Sequence, residues 1–152
     1  MTSYRFSPIK THEELFAAVQ YVAKEAATLA EKVTGQRYPI TYLTIFAHSQ
    51  EEYDGLVAML ASLGEVSEAN NGQQVKLNEA IDGIPRIRVR KPDPQRPQVG
   101  CVDFDAGEYE DFKNKYLNSS EHLRLIERPD YEMVEFFGPQ FDILGYVVSA
   151  PV

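Results

Sequence analysis

The strongest limit on the fold is an order of predicted elements that occurs twice along the chain. In the first half, an apolar segment typical of a strand (residues 40–49) leads into a helix that Ser49 and Glu52 open with capping-box spacing. Gly64 is the predicted end of that helix. Three short strands follow, because the hairpin signals Asn71-Gly72 and Asp82-Gly83 divide the next segment. The order is β-α-β-β-β.

The second half repeats this order after the proline-rich segment PDPQRP, which predicts a stiff, extended connector. A strand is followed by a helix with Asp105 and Glu108 as predicted caps, and then by three strands. Shifting the sequence by 59 residues aligns Leu43 with Val102 and Val89 with Val148. The sequence therefore predicts a duplicated module.

One long amphipathic helix is predicted ahead of the modules, from a capping box formed by Thr11 and Glu14 to a stop at Gly35. The whole chain of 152 residues is expected to form a single domain of the α+β class. Its predicted parts are the helix (11–35), module 1 (39–92), the connector (93–97) and module 2 (98–152).

Composition limits the partners and the compartment. A net charge of -8 disfavours nucleic acid, since binding to phosphate backbones depends on many cationic contacts. The apolar runs are only as long as strands, and nothing before Arg5 resembles a signal peptide, so membranes and secretion are not expected. A single cysteine, Cys101, excludes an internal disulfide and fits a reducing compartment. We expect a cytoplasmic protein.

The paired modules resemble the vicinal oxygen chelate superfamily, which includes glyoxalase I, extradiol dioxygenases and bleomycin-resistance proteins. The long helix before the modules, the pair Gly64-Glu65 at the start of a strand and the segment KPDPQRP are most similar to the YecM-type branch. The resemblance covers about residues 11–152. It implies an α+β fold in which the two βαβββ modules form one eight-stranded cup behind the N-terminal helix.

Catalytic members of this superfamily hold a divalent metal with histidine and carboxylate ligands on the first and last strands of each module. In this chain those positions fall on Tyr42, Cys101, Arg90 and Ser149, and none of the four is a family ligand. An arginine in place of a carboxylate also opposes cation binding by charge repulsion. The resemblance thus implies a lost metal site, and no metal or other cofactor is expected.

Arg86, Arg88 and Arg90 alternate along a predicted strand and therefore share one face, while Ile87 and Val89 share the other. With the apolar face under a helix, the arginines would point into the cup, where their guanidinium groups could converge on a carboxylate or phosphate. Alternatively, acids on neighbouring strands neutralise them. The candidates for that role are Glu79, Asp103 and Asp105.

The same alternation places Tyr42 and Thr44 on the first strand of module 1, and Cys101 and Asp103 on the first strand of module 2, on the wall of the cup. Such a wall suits a small ligand with an acidic group and an apolar body. Alternatively, packing or a partner chain fills this side. Cys101 itself is expected to be a small buried apolar residue rather than a nucleophile.

Histidines lack any spacing typical of metal ligands, and His12, His48 and His122 are each expected at the surface or at a helix cap. The predicted ligand-binding residues are Arg86, Arg88, Arg90, Tyr42, Thr44, Cys101 and Asp103. They favour a metal-independent protein that binds a small anionic or amphipathic ligand rather than an enzyme.

Two alternatives are retained. One is a glyoxalase-, isomerase- or dioxygenase-type enzyme whose metal is held by non-inherited residues such as Glu135, His48 or Asp103. The other is a protein-interaction module. The expected partners are a small anionic ligand and a second copy of the chain.

Overall fold

The computed structural model describes residues 4–149, and residues 150–152, the predicted end of module 2, lie outside them. Within this range, three helices accompany eight strands. The helices are α1 (His12–Thr34), α2 (Gln50–Leu60) and α3 (Tyr109–Tyr116). The strands are β1 (Ile40–Phe46), β2 (Gly64–Ala69), β3 (Gly72–Ile81), β4 (Ile84–Arg90), β5 (Gly100–Phe104), β6 (Leu123–Glu127), β7 (Glu132–Phe136) and β8 (Ile143–Val148).

All eight strands form one mixed sheet in the order β2-β3-β4-β1-β5-β8-β7-β6. Within each half, the first and last strands of the βαβββ unit pair in parallel, β1 with β4 and β5 with β8. The halves meet where β1 and β5 pair antiparallel, with Leu43 opposite Val102. The sheet curves into an open cup preceded by a long helix, so the predicted α+β class and arrangement are confirmed.

The N-terminal helix has the predicted ends. Thr11 accepts a hydrogen bond from the backbone N–H of Glu14 at 3.1 Å, and Gly35 closes the helix with a φ of 77°, a conformation that favours glycine. The predicted end of the second helix is wrong, because α2 ends at Leu60 and Gly64 is the first residue of β2. A Cβ atom at Gly64 would lie 2.0 Å from the carbonyl oxygen of Lys76 on β3, so close strand approach explains this glycine.

The turn signals are confirmed with small shifts. Asp82 and Gly83 both have positive φ, 50° and 81°, as a type I′ turn between β3 and β4 requires. The preceding turn lies one residue earlier than predicted, at Asn70 and Asn71, and Gly72 already belongs to β3. Before α3, Asp105 accepts from the backbone N–H of Gly107, and the Glu108 side chain makes no capping bond.

The single offset of 59 residues holds for the first strands of the modules and fails for the last. Leu43 pairs with Ile87 in module 1, and Val102 pairs with Gly145 in module 2. Val102 follows Leu43 by 59 residues, whereas Gly145 follows Ile87 by 58. In this register the counterpart of Arg90 is Val148 rather than Ser149, and Val148 is no metal ligand either.

The helices cover one face of the sheet, where the main hydrophobic core lies. Ile87 and Val89 are buried there with α1 and α2, as the alternation in β4 predicted. The arginines of β4 lie on the opposite, concave face.

The connector is bent rather than extended, because the backbone N–H of Arg96 donates to the carbonyl oxygen of Asp93 at 2.9 Å. None of the helices within residues 4–149 is long and apolar enough to cross a bilayer.

Candidate ligand-binding cup

A cavity of about 480 Å³ opens on the concave face of the sheet. Strands β1, β4, β5 and β8 form its floor, and the connector and the β6–β7 turn contribute to its rim. Five of the seven predicted binding residues line it, namely Thr44, Arg88, Arg90, Cys101 and Asp103. The two that do not line it are Arg86 and Tyr42.

Arg86 and Tyr42 contact each other. Arg86 donates a hydrogen bond from Nη1 to the Tyr42 hydroxyl at 2.6 Å. The guanidinium of Arg88 lies over the Tyr42 ring, 3.8 Å from its centroid, in a cation–π contact. Tyr42 thus supports the arginine strand from beside the cavity rather than within it.

Arg88 is partly neutralised by an acid on a neighbouring part of the sheet. Its Nη1 lies 3.7 Å from Oδ2 of Asp103, and its Nε donates to Oε1 of Gln74 at 3.2 Å. The predicted neutralisation is therefore correct for Asp103. Among the described ion pairs, neither Glu79 nor Asp105 has an arginine partner.

Asp103 is held in an environment that favours its neutral form. Burial raises the pKa of its carboxyl group to about 6, and the charge of Arg88 offsets only part of that rise. At neutral pH a fraction of the molecules therefore retains the proton, which leaves Arg88 without a full counter-charge.

The guanidinium group of Arg90 has fewer polar partners among the described residues than that of Arg88. Its Nη2 lies 3.5 Å from Oδ2 of Asp93 on the connector, and its guanidinium lies 6.0 Å from the centroid of the Phe46 ring. Its Nε is buried without a hydrogen-bond partner among the described residues. A buried donor without a partner costs about 1–3 kcal/mol, and a ligand oxygen could recover that cost.

Two further cavity arginines were missed by the sequence analysis, Arg96 on the connector and Arg128 beyond β6. Arg96 donates from Nη1 to the Tyr146 hydroxyl at 3.2 Å. Neither arginine belongs to an alternating strand pattern. The sequence feature that could have indicated Arg96 is its position as a charged residue within the proline-rich segment PDPQRP. With Arg88 and Arg90, they bring four arginines to a cavity whose acidic lining residues are Glu68 and Asp103.

Tyr146 continues into a buried hydrogen-bond chain. Its hydroxyl donates to Oε2 of Glu135 at 2.7 Å, and Arg124 donates from Nε to the other oxygen of that carboxylate at 2.5 Å. Glu135 is only 1% exposed. Burial, with the nearby Cys101 and Glu135, raises the pKa of the Tyr146 phenol, which therefore stays a hydrogen-bond donor.

Cys101 lies at the floor of the cavity with Phe46, Leu144 and Tyr146 in a small apolar cluster. Burial raises the pKa of its thiol to about 12, even though Arg90 and Arg96 act in the opposite direction. A neutral, buried thiol fits the prediction of a small apolar residue and does not support nucleophilic chemistry.

The residues named for a non-inherited metal site are not brought together. Glu135 is bonded to Tyr146 and Arg124 on the concave face, whereas His48 lies beside the N-terminal segment and Asp103 faces Arg88. Residues 4–149 contain no group of three or more His, Cys, Asp or Glu side chains placed to hold a metal ion.

His48 was expected at the surface or at a helix cap, and it lies directly before Ser49, the N-cap of α2, with a buried side chain. Its side chain is 5% exposed, its ring stacks on Tyr4, and its Nδ1 lies 2.7 Å from the Ser7 hydroxyl. The neighbouring Glu52 accepts from the backbone N–H groups of Ile9 and His48, each at 2.7 Å. These contacts hold residues 4–9 against the start of α2, which the local sequence around His48 could not indicate.

Comparisons with known proteins support the fold. No family profile matches the chain, and no curated protein matches it. A solved structure from structural genomics, described as Protein EC4020, superimposes with a TM-score of 0.63 at 9% identity. The match covers 97% of this chain and 93% of that one. At this identity, the similarity shows a shared architecture over nearly the full length of both chains.

Proposed function

We propose that the protein is a binding protein of the vicinal oxygen chelate type, whose cup holds a small amphipathic anion without a metal. The observation that carries this proposal is the concentration of four arginines around one cavity in a chain of net charge -8. Two acids, Glu68 and Asp103, line the cavity, and Asp93 contacts Arg90 from the connector, so the four arginines still exceed the nearby carboxylates and favour a bound anion.

Apolar side chains of the same cavity favour a ligand that also has an apolar body. Phe46, Met133 and Val148 line it together with the arginines. A concave site that combines apolar walls with a few polar groups is typical of small-molecule binding. The cavity volume of about 480 Å³ is within the usual range for such sites. Protein interaction and pairing with a second copy of the chain stay predictions.

The test is a binding screen with matched charged and neutral probes. Benzoate, 2-naphthoate and phenyl phosphate are titrated by calorimetry and by thermal shift, with benzyl alcohol and 2-naphthol as neutral analogues. We expect at least one anion to bind and to raise the unfolding temperature, with an affinity that falls as salt increases. The neutral analogues should have little effect.

The variant arm removes two charges from the cavity. The double substitution Arg88→Gln and Arg90→Gln should weaken anion binding by about tenfold or more, since each contact is a charge-assisted hydrogen bond. Arg37→Gln is the control, because Arg37 is exposed and pairs with Glu31 at the end of α1. If no anion binds wild-type protein more tightly than it binds the double variant, the proposal is wrong.

A further inference from the structure

Two arginines, Arg90 and Arg96, flank the apolar cluster that contains Cys101 at the floor of the cup. Arg90 reaches this point from the end of β4, and Arg96 reaches it from the connector. The Arg90 guanidinium lies 6.0 Å from the centroid of the Phe46 ring, and Arg96 donates to the Tyr146 hydroxyl at 3.2 Å. Phe46 and Tyr146 belong to one buried cluster with Cys101. The residues come from different segments, so the fold itself creates this pair.

Their hydrogen bonding is incomplete. The Nε of Arg90 is buried and has no partner among the described residues. Arg96 makes its one described side-chain hydrogen bond to a neutral phenol, the Tyr146 hydroxyl. An arginine has five N–H donors, so both side chains retain the capacity to bind oxygen atoms of a ligand.

The other arginines of β4 are already engaged. Arg86 donates to Tyr42, and Arg88 contacts both Gln74 and Asp103. An anion at Arg88 would compete with both the Asp103 carboxylate and the Gln74 amide oxygen that accepts from the Arg88 Nε. An anion between Arg90 and Arg96 would compete with the Asp93 carboxylate, 3.5 Å from Arg90, but would meet an Arg90 Nε that has no partner among the described residues. The pair at the floor is therefore the better anion site.

Arg96 is held in place by a chain of hydrogen bonds. The single proton of the Tyr146 phenol goes to Glu135, which leaves the phenol oxygen to accept from Arg96. Glu135 is fixed in turn by Arg124. The chain thus positions a cation on an irregular segment that has no strand to orient it.

Surrounding chemistry limits the ligand class. Asp93 offsets part of the Arg90 charge, so the excess at the floor suits a single negative charge better than the double charge of a phosphate monoester. The apolar cluster of Phe46 and Leu144 lies at the same place, with Met133 and Val148 packed against it. These walls suit an aromatic or branched aliphatic body.

We propose that Arg90 and Arg96 clamp the carboxylate of an aromatic or branched aliphatic monocarboxylic acid, with Tyr146 and Glu135 as positioning residues for Arg96. This inference rests on the proposed function of the cup. It adds the location of the acid group, the class of acid and a role for two residues outside the arginine pair.

Calorimetric titration of 2-naphthoate into wild-type protein and three variants tests the clamp. We expect Arg96→Gln to weaken binding by about tenfold and Tyr146→Phe by about threefold to tenfold. Arg86→Gln is the matched control on the same strand face and should bind within about twofold of wild type. Phenyl phosphate should bind more weakly than 2-naphthoate.

Nitrogen-15 NMR of the arginine Nε–H groups separates positioning from simple loss of structure. In wild-type protein, 2-naphthoate should shift the Arg90 and Arg96 signals and leave the Arg86 signal in place. In Tyr146→Phe and Glu135→Gln, whose amide spectra report folding, the free Arg96 signal should move toward that of a solvent-exposed arginine.

The outcomes separate this clamp from the broader proposal. If 2-naphthoate binds wild type, Arg96→Gln and Tyr146→Phe equally well, the clamp is wrong and the cup remains a ligand site. If Arg86→Gln weakens binding as much as Arg96→Gln, the acid group lies elsewhere in the cup and the clamp is again wrong. If no carboxylate or phosphate in the screen binds wild type, both proposals fail.

Discussion

Asp103 shows how burial and a neighbouring cation compete for one carboxyl group. Burial disfavours the ionised form, and Arg88 at 3.7 Å favours it, with burial the larger effect. In the folded protein, the pKa of the Asp103 carboxyl group is therefore raised from 3.8 to about 6. Because the folded state holds this proton more tightly than the unfolded state, protonation of Asp103 stabilises the fold.

The sign of this effect gives a pH prediction. The stabilisation is fully present below pH 3.8, the ordinary value, and is lost as the pH rises through about 6. A shift of this size corresponds to about 3 kcal/mol between the two limits. Asp103→Asn, which mimics the neutral acid, should therefore be more stable than wild type at pH 8 and similar to it near pH 4.

Urea unfolding at several pH values measures this difference in the free energy of unfolding. Asp130→Asn is the control, because Asp130 is an exposed loop residue and its substitution should change stability equally at pH 4 and pH 8. A free-energy difference between Asp103→Asn and wild type that does not grow with pH would contradict the assignment.

At the scale of elements, Gly64 and Gly55 make a matched pair. Gly55 lies within α2, and Gly64 is the first residue of β2. A Cβ at Gly64 would meet the Lys76 carbonyl on β3, while a Cβ at Gly55 would meet nothing within 4 Å. We expect Gly64→Ala to lower the free energy of unfolding by more than about 2 kcal/mol, because β2 and β3 must separate. Gly55→Ala, on an exposed turn of α2, should raise it by about 1 kcal/mol.

Thermal and urea unfolding of the two variants check this prediction. The outcome that would count against the β2–β3 contact is a Gly64→Ala protein as stable as wild type. Hydrogen exchange adds a local measurement, since the loss of protection in Gly64→Ala should concentrate in β2 and β3.

The element order could be predicted from the sequence because its signals are local. The N-cap bonds of Thr11 and Ser49 and the turn at Asp82-Gly83 act within a few residues, and all three are present in the structure. Gly64 was misassigned because a helix stop and a close strand contact require the same residue type. Only the position of β3 distinguishes the two.

The candidate site was predicted less completely, because half of it depends on pairing between distant segments. Alternation placed Arg88 and Arg90 on the concave face, and the structure agrees. Arg96 comes to the same place only because the connector turns at Asp93, and Glu135 matters only because β7 pairs with β8. Neither contact can be recognised from the residues next to Arg96 or Glu135 in the sequence.

At the scale of the whole molecule, α1 bridges the two modules. It packs on β1 of module 1 and on β5 and β8 of module 2. Buried residues of the helix, among them Val22 and Leu29, belong to the main core that both modules share. Loosening α1 should therefore destabilise both halves together.

Leu29→Ala tests this coupling. We expect it to lower the free energy of unfolding by about 2–5 kcal/mol, since Leu29 is 1% exposed and its removal leaves a cavity. Hydrogen exchange should show equal losses of protection in β3 and β7, one strand from each module. Lys24→Ala, on the exposed side of α1, should change little. Loss of protection in one module alone would contradict a shared core.

The two last strands, β4 and β8, occupy equivalent places but carry different chemistry. In the observed register, Arg88 corresponds to Tyr146, and Arg90 corresponds to Val148. A dimer of two identical modules would carry the same arginines on both of its last strands. Its cup would then be symmetric, and a ligand could bind in two equivalent orientations. Joining the halves in one chain removes that constraint, so β4 can carry Arg88 and Arg90 where β8 carries Tyr146 and Val148. For the proposed monocarboxylic acid, this asymmetry predicts a single orientation in the cup, and a symmetric diacid should bind more weakly.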